Sequence, residues 1–254
     1  MATIKTKAIV IKSTDSKDKD KIIHLFSLEN GIMLASMRGV KGDKAKLKSA
    51  KEIFCFGDFV IEQTKSINIV TSVDIIDNFY DLSKDIDRYY EGCAILDIVD
   101  KIAKESDPQL FIEIIKALKT LCYDQVKKYY CIDKFLLAIF KALGYGFITE
   151  RCPNCNSLLN IRYFDFNDGS FTCPACKTAT CQQVSNACYA ALRILDSTPY
   201  DKLRLVKLGG MGEVQAFNLL SKNFQWRTGF TLIEFWYKYI LTFQNIRNFS
   251  SPSN

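Results

Sequence analysis

The stretch Lys21-Ile22-Ile23-His24-Leu25-Phe26-Ser27-Leu28-Glu29-Asn30-Gly31-Ile32-Met33-Leu34-Ala35-Ser36-Met37 reads as a β-hairpin. Two apolar-rich runs, Lys21 to Leu28 and Ile32 to Met37, flank Glu29-Asn30-Gly31, and Asn-Gly supplies the positive φ that a tight reversal needs. Outward from the hairpin, Ile4 to Ile11 alternates over part of its length, and Ile53 to Ile61 and Ile67 to Ile76 are further β-rich runs. Five short strands without a long helical pattern between them predict a small barrel of the oligonucleotide/oligosaccharide-binding type, the OB-fold, over residues 1–80.

After Asp81 the apolar period changes from two to about 3.6. Tyr89, Cys93, Leu96 and Val99 share one helical face. Leu110, Phe111, Ile114, Ile115, Leu118, Leu121 and Cys122 form a wide stripe that begins after Asp107-Pro108, a helix start signal. Phe135, Leu136, Ile139, Phe140 and Leu143 make a third stripe ended by Gly144. These three helices are expected to pack as a bundle. Helices are expected to resume from Ser185 to Asp196 and from Gly229 to Phe243, and Gly209-Gly210-Met211-Gly212 reads as a hinge or helix boundary. The fold class is α+β and multidomain, with a helical domain over residues 81–149 and 182–254 interrupted by a different segment at 150–181.

That interruption carries Cys152-Pro153-Asn154-Cys155 and Cys173-Pro174-Ala175-Cys176. A CxxC turn delivers two thiolates from one knuckle, and two such knuckles complete a tetrahedral all-sulfur site for one zinc ion. All four ligands come from protein, leaving no coordination position for water or substrate, so the zinc is expected to be structural. Cys181 follows five residues after the last ligand at an irregular spacing and is left out of the set.

Residues 1–51 hold twelve Lys or Arg against five acids, whereas residues 52–254 hold twenty-two against twenty-three. All the excess positive charge is therefore at the front, where a polyanion is the natural partner. Within it, Arg38, Lys41, Lys44, Lys46, Lys48 and Lys51 stand against one acid, Asp43, in the segment between the third and fourth strands. These six cations are the candidate phosphate contacts. Ten cysteines, mostly single and inside apolar runs, fit reduced thiols of a cytoplasmic protein, and neither a signal peptide nor a membrane span is expected.

Three other features are weighed against plain structural roles. Phe54, Phe56 and Phe59 could stack on bases, but their spacing suits a barrel core better. The one histidine, His24, sits between Ile23 and Leu25 in a strand, where a structural role is the better reading than a general base. Asp74, Asp77, Asp81, Asp85 and Asp87 would be the ligands of a Mg²⁺-dependent nuclease, the alternative reading of the chain, yet they straddle a helix start where Asp is favoured for capping.

A basic five-stranded barrel followed by helices with an inserted four-cysteine ribbon resembles the bacterial recombination mediator family RecO. Lys7-Ala8-Ile9-Val10-Ile11-Lys12 resembles the family's first strand, and Asp20-Lys21-Ile22-Ile23-His24-Leu25-Phe26-Ser27-Leu28-Glu29-Asn30-Gly31 its second strand and turn. Arg38-Gly39-Val40-Lys41 and Lys48-Ser49 sit at the family's basic loop, here a few residues longer, and Leu143-Gly144-Tyr145 precedes the ribbon as the family's helix end does. The resemblance implies a non-enzymatic protein that binds single- and double-stranded DNA and anneals complementary strands. It further implies that the protein engages the acidic C-terminal tail of single-stranded DNA-binding protein and works with RecR to load RecA. The tail site is implied in the helical region, where Lys127, Lys128 and Arg193 are candidates.

Overall fold

The computed structural model describes residues 2–16, 20–39, 47, 49–145 and 149–232. The chain divides into two compact units, Met1–Tyr123 and Asp124–Asn254.

In the first unit, β1 (Thr3–Asp15), β2 (Lys21–Ser27), β3 (Gly31–Met37), β4 (Phe56–Glu62) and β5 (Asn68–Asp77) form a closed barrel in the order β1-β2-β3-β5-β4. The hairpin read from the sequence is present: Ser27 pairs with Gly31 at the turn and Lys21 with Met37 at the far end. Gly31 has φ +66°, and a Cβ there would come within 2.5 Å of the Glu105 carbonyl carbon, so only glycine fits. Closure comes from β1 against β4, antiparallel from Thr3↔Glu62 to Ile9↔Phe56, and from a short parallel seam of β3 and β5 at Ala35↔Asn68 and Ser36↔Ile69.

Ala8, Val10, Ile23, Leu25, Met33, Ala35, Phe59 and Ile61 fill the barrel interior. Ile9, Phe26 and Phe56 are also buried, although they belong to the opposite face of their strands. They are covered from outside: Phe111 of α2 (Pro108–Tyr123) lies 5.8 Å from Phe26 and 6.0 Å from Phe56, ring centre to ring centre. Phe54 takes φ +71° and stacks edge-on at 5.6 Å against Tyr89 of α1 (Ile86–Ile102). Burial on both faces explains why Ala8 to Ile11 reads as a continuous apolar run instead of an alternation.

The second unit holds α3 (Tyr130–Ala142), a three-stranded ribbon of β6 (Arg162–Asp165), β7 (Ser170–Thr172) and β8 (Cys181–Val184), then α4 (Asn186–Ser197) and α5 (Gly210–Thr228). Ribbon order is β7-β6-β8, leaving β8 at an edge. Phe171 of the ribbon meets Tyr189 of α4 edge-on at 5.1 Å, and the Arg162 guanidinium lies 4.0 Å over the same ring.

The helices therefore depart from one expectation. The three stripes read as a single bundle belong to different units, α1 and α2 with the barrel and α3 with α4, α5 and the ribbon. A 3.6-residue period reveals that a helix buries one face, but not what the face is buried against. A further helix, α5, was not anticipated at all. Gly209 caps its start, and Gly229, expected to open a helix, instead ends this one at φ +72°. Most of the helix expected at Gly229 to Phe243 lies outside the described residues.

Candidate metal centre and nucleic-acid interface

Cys152, Cys155, Cys173 and Cys176 come together with all four Sγ atoms within 4.8 Å of one another. Each knuckle is shaped by local backbone bonding. The Asn156 amide donates to the Cys152 carbonyl at 2.8 Å and the Cys152 amide to the Ser157 carbonyl at 2.9 Å. Closing this loop places Asn156 at φ +60°, a conformation asparagine tolerates better than most residues. In the second knuckle the Cys176 amide donates to the Cys173 carbonyl at 3.2 Å. Other backbone amides serve the sulfurs themselves: those of Asn154, Cys155 and Cys173 donate to Cys152, and that of Cys176 to Cys173.

Burial works against the Cys152 thiolate, yet hydrogen bonds from the Thr172 hydroxyl and the amides of Cys173, Asn154 and Cys155 outweigh it and bring its pKa down to about 5. Cys173 is lowered too, chiefly by the Ser157 hydroxyl. Cys176 is pushed the other way, to about 12, by Cys155 and Cys173 beside it. Cys152 and Cys173 thus favour the thiolate while Cys176 keeps its proton, chiefly through hydrogen bonds with Cys155 and Cys173. A divalent cation at the centre removes that conflict, since metal-bound thiols are deprotonated together. The four residues could hold a metal ion, and among the described residues they form the single such group.

Cys181 stands outside it. Its thiol donates to Asp165 Oδ2 at 3.3 Å and accepts from the Thr178 amide at 3.1 Å. Asp165 is buried, and it also accepts from the hydroxyls of Thr178 at 2.8 Å and Thr180 at 2.9 Å and from the Asn167 amide at 2.9 Å. Burial opposes its charge, but Thr178, Asn167, Cys181 and Thr180 together hold the carboxyl below the ordinary aspartate range. Asp165 thus ties the β6–β7 turn to the segment leading from the second knuckle into β8. Nothing in the sequence marked this residue, because its partners lie 2 to 16 positions away in separate loops.

Of the six cations proposed to meet phosphate, Lys41, Lys44, Lys46 and Lys48 lie outside the described residues. Arg38 is exposed at the end of β3, where Gly39 donates its amide to Asp20 Oδ1 at 2.8 Å. Lys51 is half-buried with its ammonium 3.8 Å from Glu52 Oε1. Phe54, Phe56 and Phe59 are all buried and present no stacking surface.

In the second unit Lys127 pairs with Glu213 at the start of α5, and Lys128 lies 5.3 Å over the ring of Tyr129, which stacks on Phe217 at 4.5 Å. Arg193 on α4 faces Glu150 at 3.3 Å. Three of the five acids of the rival nuclease reading serve local structure. Asp85 caps α1 by accepting from the Arg88 amide, Asp77 accepts from the Phe79 amide and the Tyr123 hydroxyl, and Asp81 pairs with Lys84. His24 Nδ1 sits 3.4 Å from Asp100 Oδ1, joining β2 to α1. No helix among the described residues is long and apolar enough to cross a membrane.

Comparison with known proteins matches the chain to two family models laid end to end: the Recombination protein O N-terminal model over residues 1–79 and the C-terminal model over residues 83–232. The chain is 29% identical to the DNA repair protein RecO of Clostridium novyi over 225 residues, 87% of this chain and 88% of that protein. It is 28% identical to the protein of the same name from Acetivibrio thermocellus over 69% of this chain and 71% of the relative. With Clostridium perfringens RecO the identity is 25% over 87% of this chain and 91% of the relative. Matched along both its barrel and its helical region, the chain belongs to the RecO family of recombination and DNA repair proteins.

Proposed function

We propose that this protein is a cytoplasmic recombination mediator that binds single- and double-stranded DNA without reading sequence, brings complementary strands together and carries no catalytic site. The observation that carries the reading is the confinement of excess positive charge to residues 1–51, the first part of the barrel. Arg38, Lys41, Lys44, Lys46, Lys48 and Lys51 displace counterions from phosphate, which gives affinity without base recognition. Annealing follows the same physics, since two polyanions approach one another more readily over a cationic surface.

The metal is zinc, one per chain. An all-sulfur tetrahedral donor set selects it, and a closed coordination shell gives it a folding role. The ribbon at 150–181 is an insertion into the helical domain.

The helical region receives the acidic tail of single-stranded DNA-binding protein and contributes to work with RecR in loading RecA. Supporting this, Lys127 pairs with Glu213 in the first turn of α5, where Met211 is 75% and Val214 53% exposed, and Lys128 follows it in the chain. Cations beside exposed apolar side chains suit a tail that is acidic and ends in an aromatic residue, and Arg193 is the third candidate contact.

The test is fluorescence anisotropy of labelled single- and double-stranded oligonucleotides. Replacing Lys41, Lys44, Lys46 and Lys48 together by Ala should weaken binding to both forms. Equal binding by the variant and the parent overturns the reading.

A further inference from the structure

The edge strand β8 and the helix α5 enclose a cleft of about 410 Å³ that the barrel-based reading leaves without a role. Its lining is unusual in composition: Gln182 and Gln183 from β8, Gln215 and Asn218 from α5, the Ser185 hydroxyl, and an apolar floor that includes Cys188 and Leu219. Four carboxamide residues and no carboxylate line the space. A carboxamide carries a donor and an acceptor in one plane, the pattern that base edges present in return. The Gln215 oxygen accepts from the Ser185 hydroxyl and the Gln182 oxygen from Lys222, so at these two the amide NH2 groups are the ends left to meet a base. Volume decides between nucleic-acid forms, because a cleft of this size accommodates a base with its sugar but not a duplex.

Two exposed residues extend the cleft along the same side of α5, one and two turns beyond Asn218. Lys222 donates to Gln182 Oε1 at 2.8 Å and lies 4.6 Å over the ring of Phe166. Trp226 is 54% exposed, its indole centred 6.1 Å from Phe166. Carboxamides, a cation and an open aromatic face in a row are the components of a single-strand contact: edges hydrogen-bonded, phosphate neutralised and a base stacked. We propose that this cleft is a second nucleic-acid site, taking one or two unpaired nucleotides of a single strand. An extended peptide added to the free edge of β8 would use main-chain groups and leave Trp226 uninvolved, so Trp226 separates the two occupants.

The test uses the full chain with its metal bound and a fifteen-residue thymidine oligonucleotide carrying 5-iododeoxyuridine. Ultraviolet cross-linking followed by peptide mapping should mark peptides of β8 or α5. Trp226→Ala and Asn218→Leu, checked for unchanged metal content and circular dichroism, should each weaken oligonucleotide binding by about 5- to 100-fold, the range of one lost stacking or edge contact. The chain with Lys41, Lys44, Lys46 and Lys48 replaced by Ala should still cross-link at α5. That arm keeps the two sites distinguishable, since unchanged affinity in the lysine variant would count against the barrel alone. Cross-links confined to residues 1–123, together with affinities of both cleft variants within twofold of the parent, overturn the proposal.

Discussion

At the scale of single residues, the cysteines of the ribbon separate into candidate ligands and a support. Cys152→Ser removes a donor whose thiol is already primed to ionise, and a metal held by all four sulfurs would contribute folding free energy directly. Metal analysis of that variant should fall from one equivalent toward none, with loss of soluble protein, whereas Cys181→Ser should keep the full equivalent. Asp165→Asn tests the support beneath the knuckle. An amide can still accept from some of the four donors but has no charge for them to stabilise, and the expected loss is about 1–3 kcal/mol. Because the folded carboxyl titrates below its unfolded value, its contribution is present above the unfolded pKa and is lost as pH falls through the folded one. The stability gap between parent and Asp165→Asn, followed by chemical denaturation, should therefore hold steady at neutral pH and narrow below about pH 4. The clustering of the four cysteines was legible because the chemistry such a set serves fixes a local spacing. Asp165 was not, since what defines its role is convergence of loops that only the folded ribbon brings together.

At the scale of elements, the barrel depends on a helix for its second buried face. Phe111 touches both Phe26 and Phe56, so Phe111→Ala leaves a cavity against two aromatic rings. Such truncations cost about 3–5 kcal/mol, and thermal unfolding followed by circular dichroism should show a lower midpoint for the barrel-containing unit. Phe54 and Phe56 carried the same information in the sequence, where a core role was favoured over base stacking, and both are buried. Strands β1 to β5 were legible because alternation and the Asn-Gly turn are short-range signals. The α5 helix was not. Gly209-Gly210-Met211-Gly212 hid its start, and polar residues at Gln215, Asn218 and Lys222 blurred its stripe. Those polar positions line the side facing β8, so the residues that obscured the helix are the ones that furnish the cleft.

At the scale of the whole molecule, the proposed phosphate contacts and the four-cysteine cluster belong to different units, so their loss should leave different signatures. Single-strand affinity falls with the logarithm of salt at roughly −0.7 per neutralised phosphate, so the six proposed cations predict a slope of about −4. Replacing Lys41, Lys44, Lys46 and Lys48 by Ala should bring it to about −1.5 while metal content stays at one equivalent. Stripping the metal with a chelator acts in the opposite pattern. The ribbon and the β8–α5 cleft lose their support, and affinity drops, but the slope should change by less than about one because only Lys222 among the proposed contacts lies there. Anisotropy titrations across salt on the three preparations measure both quantities at once. A chelated protein whose slope collapsed to that of the lysine variant would mean that the cations gripping DNA are in the second unit, and the charge of residues 1–51 would then belong to a solvated surface.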